Sequence, residues 1–171
     1  KYQYFNQDIG YFHGGATGDI NNDGENDIIL GGGVDRFLIN KGRGVFDETS
    51  VIKPPVENQV GFTNDFRIVD INSDGLNDIV FSYSYNYDDW GIGAYIQTSK
   101  NNFQIDTSIF KYSINTNRHS GHPGSSWKPW LIHYDFNKDG VKDFSYIDAH
   151  NFWNNSIQTK SVFIKNGINY E

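Results

Sequence analysis

The sequence predicts an all-β fold built from repeated, four-stranded antiparallel units. Three observations predict it: an aromatic and glycine-rich composition, an acidic loop that recurs three times, and strand-like runs on both sides of that loop. Aromatic residues make up 16% of the 171 residues, and there are 18 Gly. This profile is typical of short strands joined by turns rather than of a helical bundle. The length suits a single domain spanning 1–171.

The composition also excludes several classes of protein. The chain has no Cys, which rules out disulfides, thiol catalysis and Cys-ligated metals. No apolar run approaches 18 residues, so we expect no membrane insertion. The formal net charge is −7, from 21 acids against 14 bases. Because nucleic acids and anionic membranes repel an acidic surface, we expect no nucleic acid among its partners.

The acidic residues concentrate in a nine-residue loop that occurs three times. It reads DINNDGEND at 19–27 (loop 1), DINSDGLND at 70–78 (loop 2) and DFNKDGVKD at 135–143 (loop 3). All three copies fit the pattern D-φ-N-x-D-G-x-x-D, where φ is apolar. Internal repetition of this kind indicates a repeat architecture.

The residue types and spacing of this loop suit Ca²⁺. Side-chain oxygens at positions 1, 3 and 5 can converge on one hard cation if the chain turns tightly, which the Gly at position 6 permits. Position 7 offers a backbone carbonyl and position 9 a further carboxylate. Mg²⁺ would require a stricter octahedron, and softer metals prefer His or Cys. The alternative is an Asn/Asp-rich turn without metal. We expect three Ca²⁺ sites, with these ligands: Asp19, Asn21, Asp23, Glu25 and Asp27; Asp70, Asn72, Asp74, Leu76 and Asp78; Asp135, Asn137, Asp139, Val141 and Asp143.

The segments around the loops read as strands. An EF-hand is excluded because position 12 is Leu30, Phe81 or Tyr146 instead of Glu. Strand-like runs follow the loops at 28–30, 79–81 and 144–146, and others precede them at 66–69 and 130–134. A second hairpin then follows, at 37–46, 95–103 and 162–170. Each loop thus joins strands A and B of a four-stranded unit (A–D), which is typical of a β-propeller blade.

The segment GDINNDGENDIILGGG…FLINKGRGVFDE at 18–48 carries a resemblance to a known family. It resembles the FG-GAP/VCBS-type repeat, the calcium-loop β-propeller blade also seen in integrin α-subunit heads. The resemblance extends over essentially the whole chain in three units, and units two and three match more loosely after the loop. It implies a Ca²⁺-stabilised propeller, commonly seven-bladed, in a secreted or cell-surface protein. It implies no particular reaction.

The predicted blades lie at approximately 10–50, 60–112 and 126–171, with 1–9 as a possible outer strand of an adjacent blade. About three blades cannot close a ring, since propellers begin at about four. Two explanations remain open. The chain is a fragment whose partners are the remaining blades, or a second copy completes the assembly as a dimer or filament.

The connections opposite the acidic loops vary in length and are rich in aromatic residues. Inserts occur at 85–90, 117–130 and 150–155. Variable aromatic loops on a rigid scaffold suit recognition of a glycan or a protein. The alternatives are that the Trp side chains pack between blades and that the two His side chains are simply solvated, since spacing fixes no third zinc ligand or acid–base partner. The candidate ligand-binding residues are Tyr87, Asp88, Trp90, Arg118, His119, His122, Trp127 and Trp153.

Together these features favour a non-catalytic, extracellular Ca²⁺-binding propeller module for adhesion or for glycan or protein recognition. No phosphate loop, G-x-S-x-G or H-E-x-x-H pattern is present. One alternative is the catalytic or accessory propeller of a carbohydrate-active enzyme similar to polysaccharide lyases. Another is a structural subunit of a surface assembly or filament.

Overall fold

The computed structural model describes residues 12–32, 35–47, 62–85, 89–106, 108–110, 130–147, 160–163, 165–166 and 169–170. Regular structure in these residues is entirely β. The strands are β1 (Phe12–Gly18), β2 (Asp27–Gly32), β3 (Arg36–Asn40), β4 (Phe46–Asp47), β5 (Phe62–Val69), β6 (Asp78–Tyr85), β7 (Asp89–Ser99), β8 (Asn102–Asp106), β9 (Trp130–Tyr134), β10 (Asp143–Ile147), β11 (Lys160–Phe163), β12 (Lys165–Asn166) and β13 (Asn169–Tyr170).

The strands form units of consecutive antiparallel neighbours. Units 1 and 2 are four-stranded sheets of order β1-β2-β3-β4 and β5-β6-β7-β8, which confirms the predicted antiparallel unit. Unit 3 has a three-stranded sheet of order β11-β10-β9 and a separate β12–β13 pair. A parallel bridge joins Phe110 to Tyr170, whose N–H donates to the Ile109 carbonyl at 2.8 Å. The segment after unit 2 therefore attaches to the last strand of unit 3.

The middle sheet is buried on both faces because successive side chains of a strand point to opposite sides. In β6, Ile79 and Phe81 face unit 1, and Val80 faces unit 3; all three are fully buried. Phe81 stacks on Tyr95, with ring centroids 4.5 Å apart. On the unit 3 side, Phe144 lies in the core that Val80 joins. The two cores hold the three sheets face to face and so fix the positions of the loops between their strands.

Close contacts between neighbouring first strands also join the units. A Cβ added to Gly14 would lie 1.8 Å from the backbone oxygen of Asn64, so only Gly fits there. Between units 2 and 3, the Asp65 carboxylate accepts the Leu131 N–H at 2.8 Å, and Arg67 donates to the Leu131 carbonyl. Arg67 also forms an ion pair with Asp65 at 2.8 Å. Asp65 and Arg67 of unit 2 thus satisfy both the N–H and the carbonyl of Leu131 in unit 3.

The insert expected at 85–90 is partly strand instead of loop. β6 extends to Tyr85, which pairs with Asp89, and Ser84 pairs with Trp90. The additional residues therefore lengthen the β6–β7 hairpin, since pairing satisfies their backbone groups better than an open loop does. The Tyr85–Asp89 pair lies at the end of the sheet away from loop 2, because Asp78 begins β6 at the loop.

Several expectations fall outside the described residues. These are the outer strand at 1–9 and the inserts at 150–155 and, apart from Trp130, at 117–130. Among the residues that are described, no helix is long and apolar enough to cross a membrane.

Candidate metal centre

The three acidic loops share one backbone conformation. Position 4 has a positive φ in each loop, at 56° for Asn22, 66° for Ser73 and 64° for Lys138. The Gly at position 6 also has a positive φ, for example 93° at Gly24 and 87° at Gly75, with nothing within 4 Å of an added Cβ. A left-handed residue at both positions turns the chain tightly around the loop centre. The sequence predicted the Gly turn, but the residue types at position 4 gave no common signal.

The position 1 carboxylate organises each loop. In loop 1, Asp19 accepts the Asp23 N–H on Oδ1 at 2.9 Å and the Gly24 N–H on Oδ2 at 2.8 Å. Asp70 and Asp135 accept the corresponding two amides in loops 2 and 3, at distances of 2.9 to 3.1 Å. The same side chain therefore holds the same turn in three places.

The position 5 carboxylate is exposed and points to the same turn. Asp23 Oδ1 accepts the N–H of Glu25 at 2.9 Å, and Asp74 and Asp139 accept the equivalent amide at 2.8 Å. This backbone hydrogen bond is the main reason that the pKa of Asp23 lies below its usual value. Position 5 of loop 1 is thus held as an anion at the surface.

The position 9 carboxylate has a structural role that the sequence did not indicate. Asp78 is fully buried, and its Oδ2 accepts the Ile71 N–H at 3.0 Å while its Oδ1 accepts the Gln97 N–H at 2.8 Å. Asp27 accepts the position 2 amide of loop 1 and the Asn40 N–H on β3. Asp143 accepts the position 2 amide of loop 3 and the Lys165 N–H on β12. Position 9 therefore fastens the loop to strand C.

Burial disfavours the charge on this carboxylate. Desolvation raises the pKa of Asp78 to about 6 and also raises the pKa of Asp27 above its ordinary value, against the effect of the two amide hydrogen bonds. The nearby carboxylates of Asp74 and Asp70 add to the shift at Asp78. A divalent cation in the loop would offset both causes.

The donor chemistry of the loops fits a hard cation. The carboxylates at positions 1 and 9 each use two of about four acceptor positions for backbone amides, and those at position 5 use one. Lone pairs therefore remain for a ligand bond. The amide oxygen of Asn21, at position 3 of loop 1, is buried and accepts no hydrogen bond from the described residues. The equivalent oxygens of Asn72 and Asn137 each accept the position 5 amide at 3.0 Å. A buried oxygen that lacks a donor is a group that a cation would satisfy.

The carboxylates do not yet enclose a common point. In the described ranges, no three His, Asp or Glu side chains lie close enough together to hold a metal ion. The carboxylate oxygens instead accept backbone amides of the loops and of neighbouring strands, as described above. The assignment of positions 1, 3, 5, 7 and 9 as Ca²⁺ ligands stays a prediction.

The candidate ligand-binding residues lie mostly outside the described part of the chain. This applies to Tyr87, Asp88, Arg118, His119, His122, Trp127 and Trp153. The backbone of Trp90 is described, and it pairs with Ser84 near the β6–β7 turn, away from loop 2. The recognition surface stays a prediction.

Comparison with known proteins identifies the repeated segment. Residues 19–81 match the family model of the FG-GAP-like repeat, and this span runs from the start of loop 1 through loop 2 into β6. No curated protein matches the sequence significantly. Residues 19–81, which contain loops 1 and 2, are therefore similar to the FG-GAP-like repeat.

Proposed function

We propose that the chain is a non-catalytic, extracellular β-propeller-type module that binds three Ca²⁺ ions through loops 1, 2 and 3. The observation that carries the proposal is the threefold repetition of one oxygen-rich turn, with the same left-handed residues and the same carboxylate-to-amide hydrogen bonds. Carboxylate and amide oxygens are the ligands that Ca²⁺ prefers. The match to an FG-GAP-like repeat suggests a β-propeller-type module.

Calcium titration calorimetry tests the proposal. The wild-type chain should bind three ions, and Asp74→Ala should bind two, because Asp74 is an exposed position 5 carboxylate of loop 2. Asp106→Ala is the control, since this acid lies on β8 outside the loops and should leave three sites. Three sites in the Asp74→Ala variant, or no binding by the wild type, would overturn the assignment.

The module is further proposed to recognise a glycan or a protein through its aromatic inserts. Trp90, at the β6–β7 hairpin end away from loop 2, supports this position for the recognition surface. Exposed aromatic rings stack on sugar faces, and neighbouring polar groups bind hydroxyls. In a glycan-array experiment, Trp90→Ala should lower binding, and Val45→Ala, at an exposed position between β3 and β4 outside the inserts, should not. Equal binding by wild type and Trp90→Ala, or product formation from a bound polysaccharide, contradicts this proposal.

A second copy of the chain is the proposed partner for unit 3. Ile20 and Ile71, at position 2 of loops 1 and 2, are fully buried against the next unit. Phe136, at the same position of loop 3, is 39% exposed, and Trp130 and Tyr134, at the two ends of the preceding strand β9, are 58% and 61% exposed. Analytical ultracentrifugation should detect self-association that Tyr134→Ser weakens; a monomer at every concentration contradicts it.

A further inference from the structure

Loops 1 and 2 are joined by a network of side-chain amides that crosses from one unit to the next. Its members are Asn22 at position 4 of loop 1, Asn77 at position 8 of loop 2, and Gln97 on β7. None of the three is among the expected metal ligands. Each bonds to a group in the other unit, and so the network can transmit a change in one loop to the other.

Asn22 reaches from loop 1 into loop 2. Its Nδ2 donates to the Gly75 carbonyl at 3.3 Å, and its Oδ1 accepts the Asn77 N–H at 3.1 Å. These are backbone groups of positions 6 and 8 of loop 2, on either side of the carbonyl expected to bind the cation there. The left-handed φ of 56° at Asn22 directs the side chain across the interface.

Asn77 and Gln97, both in unit 2, form hydrogen bonds to loop 1. Asn77 Nδ2 donates to the Asp19 carbonyl at 2.7 Å, on the residue at position 1 of loop 1. Gln97 is fully buried, and its Nε2 lies 3.1 Å from the Ile20 carbonyl, 3.2 Å from Asn22 Oδ1 and 2.7 Å from the Asn77 carbonyl. Its backbone N–H donates to Asp78, the position 9 carboxylate of loop 2. One buried amide thus contacts both loops.

The corresponding positions at the next junction carry different chemistry. Position 4 of loop 2 is Ser73, position 8 of loop 3 is Lys142, and Lys165 takes the place of Gln97 as the amide donor to position 9. A short hydroxyl and two ammonium groups cannot reproduce the reciprocal donor and acceptor pattern of three carboxamides. Loop 3 therefore lacks the residues for this connection.

Resting on the proposed calcium sites, we infer that loops 1 and 2 bind metal as a coupled pair through Asn22, Asn77 and Gln97, and that loop 3 binds independently. Binding in loop 1 fixes Asp19 and Asn22 and so orders the backbone of positions 6 to 8 in loop 2. A site whose backbone is already ordered binds with a smaller entropy cost, which is positive cooperativity. By linkage the effect is reciprocal.

NMR of the backbone amides can follow each loop separately. The amides of Gly24, Gly75 and Gly140 each donate to the position 1 carboxylate of their own loop, at 2.8, 2.9 and 2.9 Å. In a Ca²⁺ titration, the Gly24 and Gly75 signals should shift with one midpoint and a steep profile. Gly140 should shift with its own midpoint.

Removing the crossing amide should separate the two midpoints. Asn22→Gly keeps the left-handed backbone accessible and deletes only the amide, and we expect it to weaken the second binding event about five- to tenfold. Ser73→Gly is the matched control, because Ser73 is exposed and has the same position and conformation in loop 2; it should leave the joint transition intact. Asn77→Ala should act like Asn22→Gly, and Asn26→Ala, at the exposed position 8 of loop 1, should not.

Disabling one site tests the coupling with all three amide side chains of the network still present. Asp19→Ala in loop 1 should weaken binding at Gly75, and Asp135→Ala in loop 3 should leave both midpoints of the pair unchanged. If Gly24 and Gly75 respond to Ca²⁺ but their midpoints ignore Asn22→Gly and Asp19→Ala, the coupling is wrong and the metal sites stand. If no loop amide responds in the wild type, the proposed function fails and the coupling fails with it.

Discussion

At the scale of single residues, the carboxylates of one acidic loop have different roles, because some are buried in the fold and others are exposed at the surface. Asp78 is buried and bonds two backbone amides, while Asp74 is exposed and bonds the turn. In the repeated sequence pattern, both residues are Asp and nothing distinguishes a buried position from an exposed one. Their surroundings give them different consequences on removal, because an unsatisfied buried N–H costs far more than one that water can reach.

We predict that Asp78→Ala destabilises the metal-free protein by about 2–5 kcal/mol, since the Ile71 and Gln97 amides lose their acceptor. Asp74→Ala should cost at most about 1 kcal/mol in the same conditions. Urea unfolding in the presence of a chelator measures both. Equal losses for the two variants would show that position 9 does not fasten the loop to strand C.

Gly14 and Gly24 provide a second comparison between two roles of one residue type. Gly14→Ala should cost about 3 kcal/mol, because the new Cβ would lie 1.8 Å from the Asn64 backbone oxygen and neither strand can move freely. Gly24→Ala should cost about 1 kcal/mol, since only its φ of 93° opposes a side chain. Thermal melts of both variants check this. A milder effect at Gly14 than at Gly24 would contradict the close contact between β1 and β5.

At the scale of strands and loops, much of the local structure follows from the sequence. The run 130–134 is β9 to the residue, and the strands after each loop begin at the position 9 Asp. Alternating apolar residues and Gly-containing turns suffice for these assignments. The longer β6–β7 hairpin was not predicted, because residues 85–90 are polar and aromatic and their pairing depends on the partner strand.

The contacts between units could not be predicted from the sequence either. Asn22 lies 55 residues before Asn77 in the sequence, and no local pattern relates these two residues or Gln97 to each other. The same holds for the pair Asp65 and Arg67, which binds a backbone group 64 or 66 residues away. Such contacts depend on how sheets pack against each other, and local periodicity carries no information on that.

We expect Asp35, which immediately precedes β3, to make a pH-dependent contribution to the stability of the fold. Asp35 accepts hydrogen bonds from the Thr63 hydroxyl and, at 3.4 Å, from the Gly32 N–H, and burial raises its pKa above the ordinary 3.8. A carboxyl with a raised folded pKa favours folding in its protonated form, so its contribution is fully present below about 3.8 and is lost as the pH rises through the folded pKa.

Asp35→Asn should remove that loss, since an amide is neutral at every pH. We expect the melting temperature of Asp35→Asn, minus that of the wild type, to increase between pH 4 and pH 7, with both proteins measured in chelator. Asp106→Asn, at an acid on β8, is the control for the loss of one negative charge. A difference that stays constant with pH would mean that burial of Asp35 does not affect its charge.

At the scale of the whole molecule, three stacked sheets share two cores and carry the three acidic loops on their A–B connections. Nine Asp residues occupy positions 1, 5 and 9 of these loops, in a chain with a formal charge of −7. Three Ca²⁺ ions would bring this charge to −1, and their positive charge would offset the cost of desolvation that raises the pKa of Asp78. Metal binding should therefore stabilise the assembly of sheets and not the loops alone.

The most direct measurement is thermal unfolding of the wild-type chain in Ca²⁺, in Mg²⁺ and in chelator. Three sites filled at a hundredfold excess over Kd should contribute about 2.7 kcal/mol each, and a domain of this size gains roughly 2–4 °C per kcal/mol. We predict a melting temperature about 15–30 °C higher in Ca²⁺ than in chelator, with a much smaller rise in Mg²⁺. Identical melting temperatures in excess Ca²⁺ and in chelator would contradict the assignment of the three loops as calcium sites.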